Sequence, residues 1–497
     1  MQRKTAALCL GLLFTIALGG CEKPGPAAEK PLPQAVLIRV ASPQGRAMQA
    51  MKSQGVLAGK RLNLTVEVTS RAEGSFPEAN ENATDIWIIR PDELGEFAHR
   101  NLLTPAPDEL KEPGNPISWE DFFPLYREKT LIWNRRLHAL PLLGESQVCF
   151  FREDLFSNPT RQAEFKKQFN EELKPPQSWS DFLKIARFFS MSEIDGGKTL
   201  PPLTESNQDL VREFLTLSAG FCRRPVAPDE PVTAGVEESI FSFLYDANTA
   251  QPVIDGPGFV KGLNLLREMQ GLRKTAPVGK GQNDSHELSS LPVLALGDSS
   301  LAGLAQQTPA LRDKYNFCPV PGAQEIPTGK KNEFRRVSGG NRIPYLGQNG
   351  YLGCVSSKSK NRALAFHLLA ELASPKISER LAMEPGSGGF LRFTQLSRMR
   401  LDSFELDAGK TETLRNALRQ DLIHPEIKNP AMASRLPGNA KRREALAVEI
   451  RDFLTGKTGV AQKALSQAAA RWREIDRAWP EKEFKALVKI SAGLIPD

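Results

Sequence analysis

The segment 35–89 alternates apolar runs with helix-forming stretches, and this order is the strongest constraint on the fold. Ala35–Ala41 (AVLIRVA) is an apolar run rich in branched residues, and residues 46–56 follow a helical pattern after a Ser-Pro-Gln-Gly turn. A second run over Leu62–Val68 alternates as a strand, and a third occupies Thr84–Ile89. Strand, helix, strand, helix, strand is the order of a parallel sheet covered by helices. The sequence therefore predicts an α/β fold.

Later segments carry both strand and helix signals. Leu131–Leu143 has the pattern of two short strands joined at residues 134–136, and Val148–Phe151 is another apolar run. Ser178 and Asp181 match a capping box, in which each side chain accepts from a free amide of the first helical turn. Beyond residue 440 the pattern is largely helical, with breaks near residues 456–459 and at a proline at 480.

The N-terminal region reads as a secretory signal followed by a tether. Two basic residues precede an apolar run over residues 6–18, which is shorter than the roughly 20 residues that span a bilayer. Leu18–Cys21 (LGGC) is similar to a bacterial lipobox, in which the cysteine becomes the acylated first residue. The alternative is an ordinary signal with a chance cysteine. Residues 22–34 are rich in proline and small or charged side chains, which is typical of a flexible tether.

Length and charge narrow the classes of protein further. About 460 residues follow the tether, which exceeds what one hydrophobic core usually supports, so we expect two or more lobes. The net charge of +7 is spread along the chain, with 65 basic and 58 acidic residues. Because nucleic-acid binding needs clustered basic residues, we expect no nucleic-acid partner.

Cysteine and histidine usage gives no sign of a metal centre or cofactor. Cys149, Cys222, Cys318 and Cys354 remain beyond Cys21, and an oxidising compartment permits one or two disulfides among them, with the pairing open. The five histidines are scattered without metal-ligand spacing. Neither a Gly-x-Ser-x-Gly elbow nor a His-Glu-x-x-His motif occurs. We expect no enzyme activity, although an exported hydrolase with paired carboxylates stays an alternative.

Six segments, in order, resemble the extracellular solute-binding protein family 1, the group of maltose- and oligosaccharide-binding receptors of ABC transporters. They are Ala83–Ile89 with Asn101–Pro105, Leu137–Pro141 with Phe150–Phe156, Pro176–Phe182, Asp255–Val260, Leu294–Ser299 and Tyr351–Asn361. Phe151 and Arg152 stand where the family usually has tyrosine and asparagine, and the usual proline is missing from Gly389–Leu391.

The resemblance implies a two-lobe periplasmic-binding-protein type II fold with an interlobe cleft and a helical C-terminal region. Residues 1–20 would be the lipoprotein signal peptide and 21–34 the lipidated tether. Lobe 1 would combine residues 35–147 and 343–374, and lobe 2 residues 148–342 and 375–497.

The function that the resemblance implies is capture of a small polar solute, with a sugar as the first candidate. The receptor would close around the solute and deliver it to the permease subunits of an ABC importer. We expect a monomer on the extracytoplasmic or periplasmic face, held to the membrane by the lipid on Cys21. A ligand-sensing or scaffold lipoprotein of the same fold is the alternative role.

Candidate ligand-binding residues follow from the carboxyl ends of the strands, where open parallel sheets bind their ligands. They are Ser42, Gln44, Arg90, Asp92, Glu145, Asp298, Ser299 and Asn349. Glu145 lies where several family members place an acidic residue that binds hydroxyls. Carboxylates and guanidinium groups suit sugar hydroxyls because charge-assisted hydrogen bonds are among the stronger ones.

Overall fold

The computed structural model describes residues 35–76, 84–191, 198–223, 231, 240–273, 292–299, 301–302, 305, 308–309, 311–328, 333–383, 388–397, 406–423 and 430–496. The predicted signal peptide, the tether and Cys21 lie outside these residues. The strands are β1 Val36–Pro43, β2 Leu64–Arg71, β3 Ile86–Ile89, β4 Ile132–Trp133, β5 Arg136–Leu137, β6 Leu140–Leu143, β7 Gln147–Arg152, β8 Leu294–Asp298, β9 Tyr315–Cys318, β10 Ala323–Pro327, β11 Phe334–Asn341, β12 Tyr345–Leu346, β13 Tyr351–Val355 and β14 Ala431–Met432. The helices are α1 Arg46–Ala50, α2 Val56–Arg61, α3 Leu94–His99, α4 Glu153–Phe156, α5 Pro159–Phe169, α6 Trp179–Ser190, α7 Asn207–Cys222, α8 Pro257–Leu272, α9 Arg362–Leu372, α10 Pro375–Met383, α11 Phe393–Ser397, α12 Ala408–Leu422, α13 Asn439–Leu454, α14 Ala461–Asp476 and α15 Glu481–Ala492.

The first lobe is built on a mixed five-stranded sheet with the order β2-β1-β3-β13-β6. Strands β1, β2 and β3 are parallel, as the sequence predicts, and β13 is antiparallel to both β3 and β6. The reversal has a topological reason. β13 enters the sheet from the second lobe, so it starts at the edge where β3 and β6 end.

Helices cover this sheet as the apolar spacing requires. The segment from Arg46 to Arg61 is one continuous helical run whose middle turn, Met51–Gly55, is π-helical. It buries Ala47, Ala50 and Met51, and α2 packs on β2. Helix α9 packs on β13 and β6 and buries Leu368, Leu369 and Leu372. Burial of each such leucine contributes about 2 kcal/mol.

The second lobe contains a three-stranded antiparallel sheet with the order β8-β7-β9. Helix α12 packs on β7 and β9, while α6, α7 and α8 form a neighbouring helical layer. The predicted capping box opens α6: the Asp181 amide donates to the Ser178 hydroxyl at 3.2 Å, and the Ser178 amide donates to the Asp181 carboxylate at 3.1 Å. Loss of such a cap costs a helix about 1 kcal/mol.

The lobes are joined by segments that cross between the sheets. The chain leaves β6 at Leu143 and begins β7 at Gln147, and it returns through the segment between β12 and β13. The cleft edge of each sheet is therefore defined by the carboxyl ends of β1, β3, β6 and β8 and by the amino ends of β7 and β13. This two-lobe α/β arrangement agrees with the predicted fold class.

The packing differs from the predicted lobe boundary at residue 374. Helix α10 packs on β6 and α9, with Ile377 and Leu381 buried, so it lies against the first lobe. The fully buried Arg392 guanidinium also donates to the carbonyls of Ser118 and Ile117, at 3.2 and 2.8 Å. The predicted boundary follows α9 and therefore assigns α10 to the second lobe. The spacing of apolar residues along a series of helices does not show at which helix the chain changes lobe.

The C-terminal helices contact both lobes. Helix α13 packs on α7 of the second lobe, yet Asn439, its first residue, donates to Asp92 of the first lobe at 3.2 Å. Just before α13, Arg435 donates to the carbonyl of Ile132 at 2.6 Å. The predicted breaks near 456–459 and at Pro480 separate α13, α14 and α15. Among the described residues, no helix is both long and apolar enough to cross a bilayer.

Candidate ligand-binding cleft

The carboxylate of Asp298, the last residue of β8, lies where the two lobes meet. Its side chain is 12% exposed, and β8 places it opposite Gln147 at the start of β7. Both residues therefore lie at the edge of the second sheet that faces the first lobe. A carboxylate this enclosed needs donors, because an unpaired charge away from water is costly.

Side chains from both lobes supply those donors. Arg46 of the first lobe donates to one carboxylate oxygen of Asp298 at 3.2 Å, and Arg212 of the second lobe donates to the other at 3.2 Å. The Asn349 amide group donates to the same carboxylate at 2.9 and 3.2 Å, and its carbonyl oxygen accepts from Arg46. We call Arg46, Arg212, Asp298 and Asn349 the interlobe clamp. It is a direct polar link between the two lobes.

Local structure explains how the two arginines reach Asp298. Gly45 has a φ of 81°, a conformation that favours glycine, and this turn starts α1 at Arg46 directly after β1. Arg212 lies in the second turn of α7, whose start is fixed by the Ser206 hydroxyl accepting from the Asp209 amide at 3.2 Å. Burial, the largest single effect, lowers the pKa of Arg212, but the carboxylates of Asp298, Asp209 and Glu145 together outweigh it, so the net shift of that pKa is upward.

An aromatic ring continues the cleft wall beside the clamp. The buried Tyr351 ring contacts two guanidinium groups, with Arg46 at 5.9 Å and Arg90 at 5.7 Å from its centroid. Arg90 also donates to the Glu73 carboxylate at 2.6 Å and to the Gln348 carbonyl at 3.4 Å. Cations over an aromatic face are attracted by its quadrupole, so the ring and the guanidinium groups hold one another in place.

The Glu145 carboxylate is occupied by backbone amides. It accepts from the Asn349 amide at 2.9 Å and from the Gly347 amide. Burial raises the pKa of Glu145 to about 7, against the lowering effect of these two amides and of Arg212. The sequence predicts that Glu145 binds ligand hydroxyls. In the structure its carboxylate instead joins the crossing segment that follows β6 to the crossing segment that precedes β13.

Ser299 is fully buried beside the first crossing segment. Its hydroxyl pairs with the Ser146 hydroxyl at 2.5 Å, and Ser146 donates to the Gly388 carbonyl at 3.2 Å. These bonds connect three chain segments at the floor of the cleft. Ser299 therefore supports the position of Asp298 next to it.

Asp92 lies apart from the clamp. It is 2% exposed and accepts from Arg443 and Asn439 of α13. Burial raises the pKa of Asp92 to about 6, and Arg443 opposes this rise. The prediction grouped Asp92 with the cleft residues, whereas its bonds attach the first lobe to the C-terminal helices.

Ser42 and Gln44 are not brought into the clamp. The buried Ser42 hydroxyl donates to the neighbouring Pro43 carbonyl at 3.1 Å, and Gln44 is exposed at the turn. Both residues follow the end of β1, as predicted, but the side chain that reaches the clamp is that of Arg46, two residues beyond Gln44. The turn at Gly45 redirects the chain at this point.

Two further cleft residues, Arg212 and Tyr351, were also missed. The only sequence signal for Arg212 is a charged residue on a largely apolar helix, and this signal is weak. Its partner Asp298, at the end of β8, is 86 residues away. Tyr351 opens a segment that the family resemblance singled out, but the resemblance does not reveal that its ring contacts Arg46 and Arg90. Within the described ranges, no group of three or more His, Cys, Asp or Glu residues could hold a metal ion.

Comparison with solved structures agrees with this architecture. The chain is similar to an ABC transporter solute-binding protein from Agrobacterium radiobacter in complex with ribitol, with 14% identity, a TM-score of 0.63, and 89% of this chain and 100% of that chain covered. It is also similar to maltose-bound MalE3 of T. maritima, with 15% identity, a TM-score of 0.62, and coverage of 89% and 100%. A third, the ABC transporter solute-binding protein from Agrobacterium vitis with bound D-mannitol, gives 15% identity, a TM-score of 0.59, and coverage of 89% and 99%.

These likenesses show the fold, which is that of the MalE-type periplasmic binding proteins. At the level of sequence, no protein-family profile and no curated protein matches the chain.

Proposed function

We propose that this protein is an extracytoplasmic receptor that captures a small polyhydroxylated solute between its lobes and passes it to an ABC importer. The observation that carries the proposal is the interlobe clamp, in which arginines from two lobes converge on Asp298. A solute at this point would contact both lobes at once, as a receptor that closes on its ligand requires.

The chemistry of the clamp supports a sugar or polyol. Asp298 offers acceptors, the guanidinium groups of Arg46 and Arg212 offer donors, and Asn349 offers both, which matches hydroxyl groups that donate and accept. Three structures of similar fold were solved with ribitol, maltose and D-mannitol, which belong to this class.

Binding of this kind is an exchange of partners. In this structure the clamp residues satisfy one another, so a bound solute would insert its hydroxyls in place of some of these bonds. Because ligand and protein both lose water, net stabilisation comes from bonds made to both lobes and from the closed cleft. The solute leaves chemically unchanged.

We also propose that the chain is a lipoprotein of the extracellular solute-binding family 1, exported by residues 1–20 and anchored through Cys21. The lipobox-like LGGC and the proline-rich tether support this part of the proposal. Replacement Cys21→Ser is expected to move the protein from the membrane fraction to the soluble extracytoplasmic fraction. If mass spectrometry of the native protein finds Cys21 without an acyl group, an acyl anchor on Cys21 is ruled out.

A ligand panel tests the receptor proposal directly. The chain from residue 22 onward is screened by thermal shift against pentitols, hexitols, monosaccharides and maltooligosaccharides, since a ligand of the folded state raises the melting temperature. At a concentration of 100 times the dissociation constant, binding stabilises the protein by about 2.7 kcal/mol. If every sugar and polyol leaves the melting temperature unchanged, the proposal fails.

A matched pair of variants then tests the site. Arg212→Ala removes a clamp donor, while Arg187→Ala removes an arginine of the same lobe that is 55% exposed and pairs with Glu268. Each variant is compared with and without ligand, so that changes in unliganded stability cancel. We expect Arg212→Ala to weaken affinity at least tenfold, about 1.4 kcal/mol, and Arg187→Ala to leave it unchanged. Equal effects of the two would place the solute elsewhere.

A further inference from the structure

Two cysteines of the second lobe face each other across a strand pair. Cys149 of β7 is in direct register with Cys318 of β9 in an antiparallel ladder. Directly opposed residues in such a ladder have Cα atoms about 4.5 or 5.5 Å apart, and disulfides accept Cα separations of about 4.4 to 6.8 Å. Either kind of antiparallel pair therefore has a backbone spacing that a disulfide can bridge.

The two thiols also lie on the same side of the sheet. The neighbouring register pair, Phe150 and Phe317, stacks edge to face with ring centroids 5.2 Å apart. Because side chains alternate between faces along a strand, Cys149 and Cys318 project together from the opposite face. Both are buried, at 0% and 8% exposure.

The remaining described cysteines have no such neighbour in register. Cys354 lies in β13 of the first sheet, opposite Trp87 of β3, and Cys222 ends helix α7. All four thiols are free in this structure, which makes the pairing a question of chemistry rather than of backbone position.

We propose that Cys149 and Cys318 form a disulfide when the protein folds under oxidising conditions. The oxidant is a disulfide, either of a thiol-exchange protein or of a small molecule such as glutathione. One cysteine thiolate attacks a sulfur of the oxidant, forming a mixed disulfide and releasing one oxidant thiol. The second cysteine attacks the first, the protein disulfide forms, and the second oxidant thiol leaves with the remaining proton.

Burial of the two cysteines determines at which stage of folding the disulfide can form. Helix α12 packs on both β7 and β9 in the folded lobe. Burial raises the pKa of the Cys149 thiol, which disfavours the thiolate that reacts. The bond therefore forms during folding, before the helix covers the strands. Once formed, it fixes β7 against β9 and so steadies the strand that leads out of the cleft.

Refolding in a redox buffer tests the proposal on the full chain. The protein, solubilised in detergent, is unfolded and reduced in denaturant and then refolded with a mixture of reduced and oxidised glutathione. Free thiols are alkylated after a second unfolding, and the peptides are mapped by mass spectrometry without reduction. We expect one linked pair of peptides carrying Cys149 and Cys318, lighter by two hydrogen atoms than the separate peptides, and alkylated Cys222 and Cys354.

Variants separate this pairing from a fold defect. In the native protein, reductant is expected to lower the melting temperature by several degrees. In Cys318→Ser, Cys149 is expected to be alkylated and reductant to leave the melting temperature unchanged. Cys222→Ser, the control, is expected to keep both the linked peptides and the effect of reductant. The proposal is overturned if the refolded native chain shows alkylation at both Cys149 and Cys318, or if either one is linked to Cys222 or Cys354.

Discussion

Replacement Asp298→Asn tests whether the clamp holds the lobes together in the absence of a ligand. Asparagine has the same shape as aspartate but carries one acceptor and one donor group instead of two acceptor oxygens. One carboxylate oxygen now accepts from Arg46 and the other from Arg212. In the variant, one of these guanidinium groups faces an amide that cannot accept.

The cost follows from the exposure of the three side chains. Removal of one partner from a fully buried pair costs about 3 to 5 kcal/mol, whereas an exposed pair contributes about 0 to 1 kcal/mol. Arg46, Arg212 and Asp298 are 25, 17 and 12% exposed, so they lie between these limits. We expect the free energy of unfolding of the unliganded protein to fall by about 2 kcal/mol.

Urea denaturation of the unliganded protein measures this loss. Unfolding is monitored by both fluorescence and circular dichroism, because a difference between the two curves would reveal separate unfolding of the lobes. The control is Glu268→Gln, which breaks an ion pair within the second lobe between side chains that are 51 and 55% exposed. The control is expected to change stability by less than about 0.5 kcal/mol. Hydrogen exchange of the crossing segments is expected to rise in Asp298→Asn alone, since local opening becomes easier.

Equal urea midpoints for the two variants would refute the reasoning. They would mean that the bonds to Asp298 contribute no more than a solvated surface pair. Faster exchange throughout the second lobe, with the crossing segments no different from the rest, would show instead that Asp298 stabilises its own sheet rather than the junction.

Three other changes have defined outcomes. Glu145→Ala leaves two buried backbone amides without acceptors and is expected to lower unliganded stability by about 2 kcal/mol in urea denaturation, whereas the exposed Glu164→Ala changes it by less than about 0.5 kcal/mol. The pKa of Asp92 rises from 3.8 to about 6 on folding, so the folded state binds the Asp92 proton more tightly than the unfolded state does. The resulting stabilisation is complete below pH 3.8 and is lost as the pH rises to about 6. The stability of the native protein relative to Asp92→Asn should therefore fall by up to about 3 kcal/mol across that window. At Gly95 an added Cβ would lie 1.8 Å from a carbonyl of the C-terminal segment, so Gly95→Ala is expected to cost about 1 to 3 kcal/mol, while Gly271→Ala, in open space on a helix, stabilises by up to about 1 kcal/mol.

Much of the architecture could be predicted because it is encoded locally. Apolar runs marked β1, β3 and β7, an alternating pattern marked β2, and the capping box at Ser178 marked the start of α6. The lobe assignment of α10 could not be predicted in this way. Its buried Ile377 and Leu381 would suit either lobe, and only the path of the chain brings them to β6.

Two of the four clamp residues were nominated from the sequence and two were not, for a related reason. Asp298 and Asn349 were nominated as loop residues at strand ends, and they meet at the clamp. Their partners Arg46 and Arg212 lie on helices, 252 and 86 residues away from Asp298. The position of Glu145 was predicted and its partners were not, because acceptance from backbone amides depends on the turn conformation of residues about 200 positions away.

The way in which the clamp is satisfied constrains what the cleft can bind. A solute that offered a single polar group would replace a bond between Arg46 and Asp298 with a comparable one and gain little, since exchanged hydrogen bonds nearly cancel. A solute with several hydroxyls can instead leave that pair intact on one side and add bonds to Asn349 or Arg90 on the other. Affinity should therefore increase with the number of correctly placed hydroxyls rather than with net charge. Among solutes of equal size, a polyol is then favoured over a monocarboxylate, because the carboxylate would compete with Asp298 for the same two guanidinium groups.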